Sequence, residues 1–192
     1  MTKLSFFIFC FISMAITTMA QPPVLDTDGQ PVQTGVEYYV ESGIFDVAGG
    51  LTLIRRNDSC PLYVGQEPFT PPNVSRGFPV KFKPYNDSET IIREGRDLTV
   101  TFQAFTTCIQ STAWRIGEVN PAGRRFIVTG GEADYFRIRN NGGDYSFEWC
   151  PAESCPTCER PRCGAAGIFT ENDQKFLILD VPMAYPFLFS RA

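Results

Sequence analysis

The chain has 192 residues, 43% of them hydrophobic and 14% aromatic, with 21 acidic residues against 17 basic ones and a formal net charge of −4. That acidic balance disfavours nucleic acid as a partner. The complete absence of histidine excludes Ser-His-Asp and Cys-His hydrolases, a His-ligated zinc site and a histidine general base. Carboxylate-pair catalysis stays formally open, but no distinctive paired-acid motif stands out, and the acids read as scattered surface carboxylates of a protein that is not an enzyme.

In chain order, residues 1–20 (MTKLSFFIFCFISMAITTMA) place Lys3 before an apolar run from Leu4 to about Ile16, followed by the small residues Thr18 and Ala20. This is the pattern of a secretory signal peptide, cut before Gln21. The apolar run is shorter than the roughly 18 to 20 residues needed to cross a bilayer, and no later segment reaches that length. The expected product is one secreted domain, residues 21–192, with no membrane attachment after cleavage. Losing residues 1–20 removes Lys3 and no acid, so the formal net charge moves from −4 to −5. A domain of this size buries on the order of 70% of its unfolded surface, so its core does not depend on cross-links.

From Tyr38 onward, short aromatic, β-branched and aliphatic runs alternate with Gly, Pro, Asn and Asp turns: YYV, LTLI, PLYV, PVKF, TII, LTVTF, AWRI, RFIVT, YFRIR, YSFEW, AGIF, KFLIL and YPFLF. Several alternate strictly, as Leu98, Val100 and Phe102 do against Thr99, Thr101 and Gln103, which predicts strands with one buried face. No window sustains a helical period, so the expectation is an all-β sandwich or barrel of about a dozen strands. Three N-x-S sequons, at Asn57, Asn73 and Asn86, are candidate glycosylation sites in a secreted chain. The clusters Arg55-Arg56, Arg124-Arg125 and Arg160 with Arg162 read as solvated surface. Cys10 leaves with the leader, and the remaining six cysteines form an even set that an oxidising compartment would pair. Cys155-Pro156-Thr157-Cys158 also fits a redox motif, and the last four cysteines together fit a zinc site. The helix-breaking sequence after Cys158 and the secreted setting favour structural disulfides, with no metal or cofactor.

The segment Val24 to Val40, VLDTDGQPVQTGVEYYV, resembles the N-terminal signature of plant Kunitz inhibitors of the soybean trypsin inhibitor type through Val24, Asp26, Asp28-Gly29, Gln30, Val32, Tyr38 and Val40. Matching features follow in order: Gly49-Gly50-Leu51-Thr52, Cys60-Pro61-Leu62, Trp114, Gly130-Gly131, Tyr135-Phe136-Arg137-Ile138, and Asp180 with Pro182. The resemblance spans essentially the whole chain after the leader and implies a β-trefoil, a short six-stranded barrel capped by three hairpins. The run CPAESCPTCERPRC is similar to the miraculin-like branch of that family. It implies bridges Cys150–Cys163 and Cys155–Cys158, with Cys60 joined to Cys108. The extra cysteine that links chains in some miraculins falls near Asn140 or Asn141 here, so a monomer is expected. Chlorophyll-binding relatives are disfavoured by Tyr63-Val64 after Cys60-Pro61-Leu62.

Members of this family block proteases with a rigid, substrate-like loop. Aligned on Gly77 and Glu94-Gly95, that loop falls on Tyr85-Asn86-Asp87-Ser88-Glu89, and Thr34 takes the position whose Asn braces the loop in relatives. No Lys or Arg stands in the loop. An acid entering trypsin's pocket would meet the aspartate at its floor after losing its water. The resemblance therefore implies a secreted endopeptidase inhibitor, extracellular, apoplastic or vacuolar, whose partner is a protease other than trypsin. The alternative it leaves is a non-inhibitory miraculin-like defence, storage or ligand-binding protein on the same scaffold.

Overall fold

The computed structural model describes residues 21–157 and 163–192, so the leader and Cys158 lie outside the described residues. Within them are thirteen strands: β1 (Glu37–Ser42), β2 (Ala48–Ile54), β3 (Tyr63–Pro68), β4 (Val80–Pro84), β5 (Leu98–Phe102), β6 (Arg115–Val119), β7 (Arg125–Val128), β8 (Arg137–Asn140), β9 (Tyr145–Trp149), β10 (Gly164–Ala165), β11 (Gly167–Glu171), β12 (Gln174–Leu179) and β13 (Phe187–Arg191). Side-chain alternation explains the clearest of them. In β5, Leu98, Val100 and Phe102 are buried while Thr99 and Thr101 are half-buried, as period-two patterning requires. Of the expected runs, TII does not form a strand. Ile91 makes only a single bridge to Gln33, because this stretch closes a loop. The two-residue β10 was not foreseen, being too short to carry a pattern.

Six strands close a barrel. β13 pairs with β1, β1 with β4, β4 with β5, β8 with β9 and β9 with β13, all antiparallel. The ring is completed where Leu98 and Phe136 exchange backbone hydrogen bonds of 2.9 and 2.7 Å. Closure removes the exposed sheet edges that invite aggregation. The remaining hairpins, β2–β3, β6–β7 and β11–β12, meet in a triangle through the pairs Tyr63↔Val128, Ile178↔Phe126 and Phe176↔Gly65. One aromatic ring from each hairpin, Tyr63, Phe126 and Phe176, packs edge to face with the other two at 5.5 to 5.8 Å. This barrel with a threefold hairpin cap is a β-trefoil.

The main core fills the barrel. Phe147 sits among Phe82, Trp114, Phe187 and Phe189, with ring centroids 5.0 to 6.4 Å away, and all five side chains are fully buried. Gly77 closes the barrel against β2: its φ is +73°, and a Cβ there would stand 2.0 Å from the Leu51 carbonyl oxygen. Phe147→Ala leaves a cavity that five rigid strands cannot collapse into, so it should destabilise the protein by about 3 to 5 kcal/mol. Equilibrium unfolding in guanidinium checks this, and a loss below about 1 kcal/mol would contradict such a tightly packed barrel interior.

Candidate functional site

The segment between β4 and β5 leaves the barrel at Pro84 and returns at Leu98, which are paired partners in the sheet. Its neck is closed by the Tyr85 N–H donating to the Asp97 carbonyl at 2.8 Å, and the Tyr85 ring packs edge to face on Tyr135 at 5.3 Å. At the tip, Asn86 Oδ1 accepts from the Ser88 N–H at 3.2 Å and from its hydroxyl at 2.9 Å. The Glu89 N–H returns to the Asn86 carbonyl at 3.0 Å. Asn, Asp and Ser favour such closed turns because their short polar side chains bond nearby backbone. Tyr85, Asn86, Asp87 and Ser88 are exposed, and Glu89 is half-buried. Asp87 pairs with Lys83 at 3.1 Å, an exposed contact worth little.

The far limb of the turn is tied to the N-terminal segment. The Thr34 hydroxyl donates to the Glu89 carbonyl at 2.9 Å, and the Thr34 N–H donates to the Thr90 carbonyl at 3.0 Å. The structure thus brings Thr34 and the Tyr85–Glu89 segment together. The short Thr34 side chain reaches this one carbonyl.

Beneath the turn lies a charged cluster that the sequence reading missed. Arg96 Nη2 donates to Glu89 Oε1 at 2.8 Å, and Arg96 Nε stands 3.0 Å from Glu153 Oε1 as an ion pair without hydrogen-bond alignment. The Asp97 side chain is fully buried. Its Oδ1 accepts from Arg137 Nε at 2.6 Å; its Oδ2 accepts from the N–H groups of Ala152, Glu153 and Ser154 at 3.0, 2.7 and 2.9 Å and from the Ser154 hydroxyl at 3.1 Å. Burial pushes the Asp97 pKa up, but the donors from Ser154, Arg137 and Glu153 outweigh it and hold the carboxyl below the ordinary aspartate range. Glu153 moves the other way: burial raises it, and Arg96 only partly offsets that. The one signal for this cluster is Arg96-Asp97 directly before a strand, and alternation gives the buried phase to Leu98, not to Asp97.

The same segment is clipped by Cys150–Cys163, with Cα atoms 4.4 Å apart, and Cys60–Cys108 spans 5.9 Å. Cys155 is disulfide-bonded, while Cys158, its expected partner, lies outside the described residues. Asn57, Asn73 and Asn86 are all exposed, so each sequon is sterically open to a glycosyltransferase.

A family model described as trypsin and protease inhibitor, of the Kunitz legume type, matches residues 24–191. The chain is similar to a protein named Kunitz type trypsin inhibitor 111 from Medicago truncatula, 40% identical over 203 residues, covering 96% of this chain and 98% of that protein. It is also similar to the miraculin of Synsepalum dulcificum, 30% identical, covering 97% of this chain and 95% of that one. Among solved structures, the rice bifunctional alpha-amylase/subtilisin inhibitor from Oryza sativa superposes with a TM-score of 0.74 at 31% identity, covering 90% of this chain and all of that one.

Because the folded pKa of Asp97 is depressed, its stabilising contribution is complete above the unfolded value and is lost as pH falls through the folded one. Glu153, with its raised pKa, opposes this weakly in acid. Asp97→Asn should therefore cost about 3 to 5 kcal/mol near neutral pH, since it leaves Arg137 buried without its partner charge. Unfolding curves for parent and variant at about pH 7 and about pH 2 should show that gap shrinking in acid; a gap that stays constant would contradict the ionised, paired Asp97.

Proposed function

We propose, from the fact that this chain belongs to the Kunitz legume family of trypsin and protease inhibitors, that it is a secreted, monomeric inhibitor of an endopeptidase other than trypsin, and not itself an enzyme. Residues 1–20 act as its secretion signal. The observation that carries the choice of target is the Asn86-Asp87-Ser88 tip: it is exposed, braced from behind by Thr34 and from below by Arg96 and Asp97, and bears an acid where trypsin's pocket demands a base.

The physics of the scaffold supports the inhibitor reading. A protease must order a flexible loop at a cost of about 0.5 to 1.5 kcal/mol per immobilised side chain, and a loop already held by the barrel avoids most of it. Charge then selects the partner. A serine endopeptidase with a neutral or small pocket imposes no like-charge penalty on Asn86 or Ser88, whereas trypsin's buried aspartate repels Asp87 and Glu89 together. A glycan on Asn86 would sit on this contact surface and weaken it.

Titration against a protease panel tests the reading. The parent should inhibit a subtilisin-like or elastase-like protease and spare trypsin; inhibition of nothing in a panel of serine, cysteine and aspartic proteases would defeat it. Placing Arg at Asp87 or Ser88, with Asn86→Gln to remove the sequon, should create trypsin inhibition. An interfacial charge pair of that kind couples by about 1.5 to 7 kcal/mol, roughly one to five decades in the inhibition constant. Adding Thr34→Val should reverse part of the gain, by about 0.5 to 1.5 kcal/mol for one lost hydrogen bond. If neither Arg variant inhibits trypsin at micromolar concentration while remaining folded, the assignment of Tyr85–Glu89 as the contact loop fails.

A further inference from the structure

The loop from Gln103 to Thr112, which joins β5 to β6, was not singled out by the sequence. Phe105 and Ile109 in it have relative exposures of 108% and 100%. A single exposed apolar side chain is ordinary, but an aromatic and a branched aliphatic group four residues apart, held fully in water on a restrained loop, are not. The restraints are numerous. The Gln103 N–H donates to the Pro79 carbonyl at 2.8 Å and the Thr112 hydroxyl to the Phe102 carbonyl at 2.6 Å. The Thr106 hydroxyl donates to the Cys108 carbonyl at 2.7 Å, Arg55 donates to Thr107, and Cys108 itself is fixed by the bridge to Cys60. On the far side, the Gly130 N–H reaches the Ser111 carbonyl at 2.9 Å. Gly130 has φ +84°, and a Cβ on it would stand 2.5 Å from Gln110 Oε1.

We propose that this loop is a second protease-contact surface, in which Phe105 enters the deep, uncharged pocket of a chymotrypsin-like serine endopeptidase. Four features select that occupant. Phe105 matches an apolar slot in size and chemistry. No residue from Gln103 to Ala113 is ionisable, so nothing on the loop opposes a neutral pocket, in contrast to Asp87 and Glu89. Among the described residues no hydrogen bond engages the backbone of Ala104 or Phe105, which leaves those groups free to pair with the extended backbone of a protease cleft. Phe105 also stands as a ridge between two recesses, one lined by Leu53, Leu62 and Phe78 with Arg55 and Asp58 at its side, and the other by Phe102, Gln103 and Glu37.

The Asn86–Glu89 tip lacks the same combination: it is acidic, and its backbone is closed on itself by the Asn86–Glu89 hydrogen bond. The two loops leave opposite ends of β5, five residues long, about 16 Å apart along the strand at ~3.3 Å per residue.

This inference rests on the inhibitor reading above, and the test separates the two. Chymotrypsin is the probe, with parent, Phe105→Ala and Phe105→Tyr compared. The parent should inhibit it. Phe105→Ala should weaken inhibition by about 100-fold or more, as truncation of a central aromatic anchor does. Phe105→Tyr should stay within about 10-fold of the parent because the slot accepts either ring. Phe105 packs against little, so its variants should melt with the parent. If the parent inhibits other proteases but not chymotrypsin, or if Phe105→Ala inhibits as the parent does, or if Phe105→Tyr falls with Phe105→Ala, the second surface is overturned and the inhibitor reading stands. A parent inert toward every protease tested overturns the inhibitor reading, and this inference with it.

Discussion

Asp97 is a carboxylate with no contact with water, set where β5 begins, and it ties both the neck of the exposed turn and the segment before Cys155 to the barrel. Burying such a charge costs several kcal/mol unless the protein supplies its hydrogen bonds. Here they come from two places that the chain would not otherwise join. Arg137 on β8 approaches one oxygen, and three successive backbone N–H groups with the Ser154 hydroxyl surround the other. The segment before Cys155 therefore folds around the anion rather than hanging from its disulfides. The Asp97 carbonyl meanwhile accepts from Tyr85, so the same residue fixes the neck of the exposed turn. Rigidity at the surface is in this sense borrowed from the barrel, through one buried group.

Specificity is layered on that rigidity by side chains of different character. The turn after β4 offers acid and amide groups, with Thr34 and Arg96 holding its returning limb. The loop after β5 offers Phe105 and Ile109, held instead by a disulfide and by hydroxyl-to-carbonyl bonds. One strand of the barrel thus separates an acidic surface from an apolar one, and each is restrained by contacts the other does not use. A scaffold built this way tolerates change at one end without disturbing the other, because the core residues between them, Leu98, Val100 and Phe102, point inward.

Much of the fold was legible in the sequence because alternation and turn residues report burial directly. LTVTF reads as a half-buried strand and is one; the N-terminal signature and the ordered matches after it then chose the trefoil among all-β architectures. The TII run misled because three β-branched or polar residues carry strand propensity without a partner strand, and Ile91 found only Gln33. The candidate turn at Tyr85–Glu89 was placed by its neighbours in sequence. Its support was not, since Arg96, Asp97 and Glu153 act through tertiary contacts across 57 residues of chain at the longest, and no local pattern marks a charged residue for burial. Phe105 escaped notice for the opposite reason. An apolar residue beside a strand reads as core, and only the folded loop shows that it faces water.

Native-state hydrogen exchange tests the central claim most directly, because it reads out how firmly each amide is tied to the barrel. If Asp97 couples the turn and the disulfide-clipped segment to the core, the Tyr85, Glu153 and Ser154 amides should exchange through openings nearly as rare as those exposing Trp114, whose N–H bonds Val100 inside the barrel at 2.8 Å. The Asp87 amide at the exposed tip should exchange far faster. Exchange of Tyr85, Glu153 and Ser154 at the rate of Asp87, in a protein whose Trp114 amide stays protected, would contradict the account.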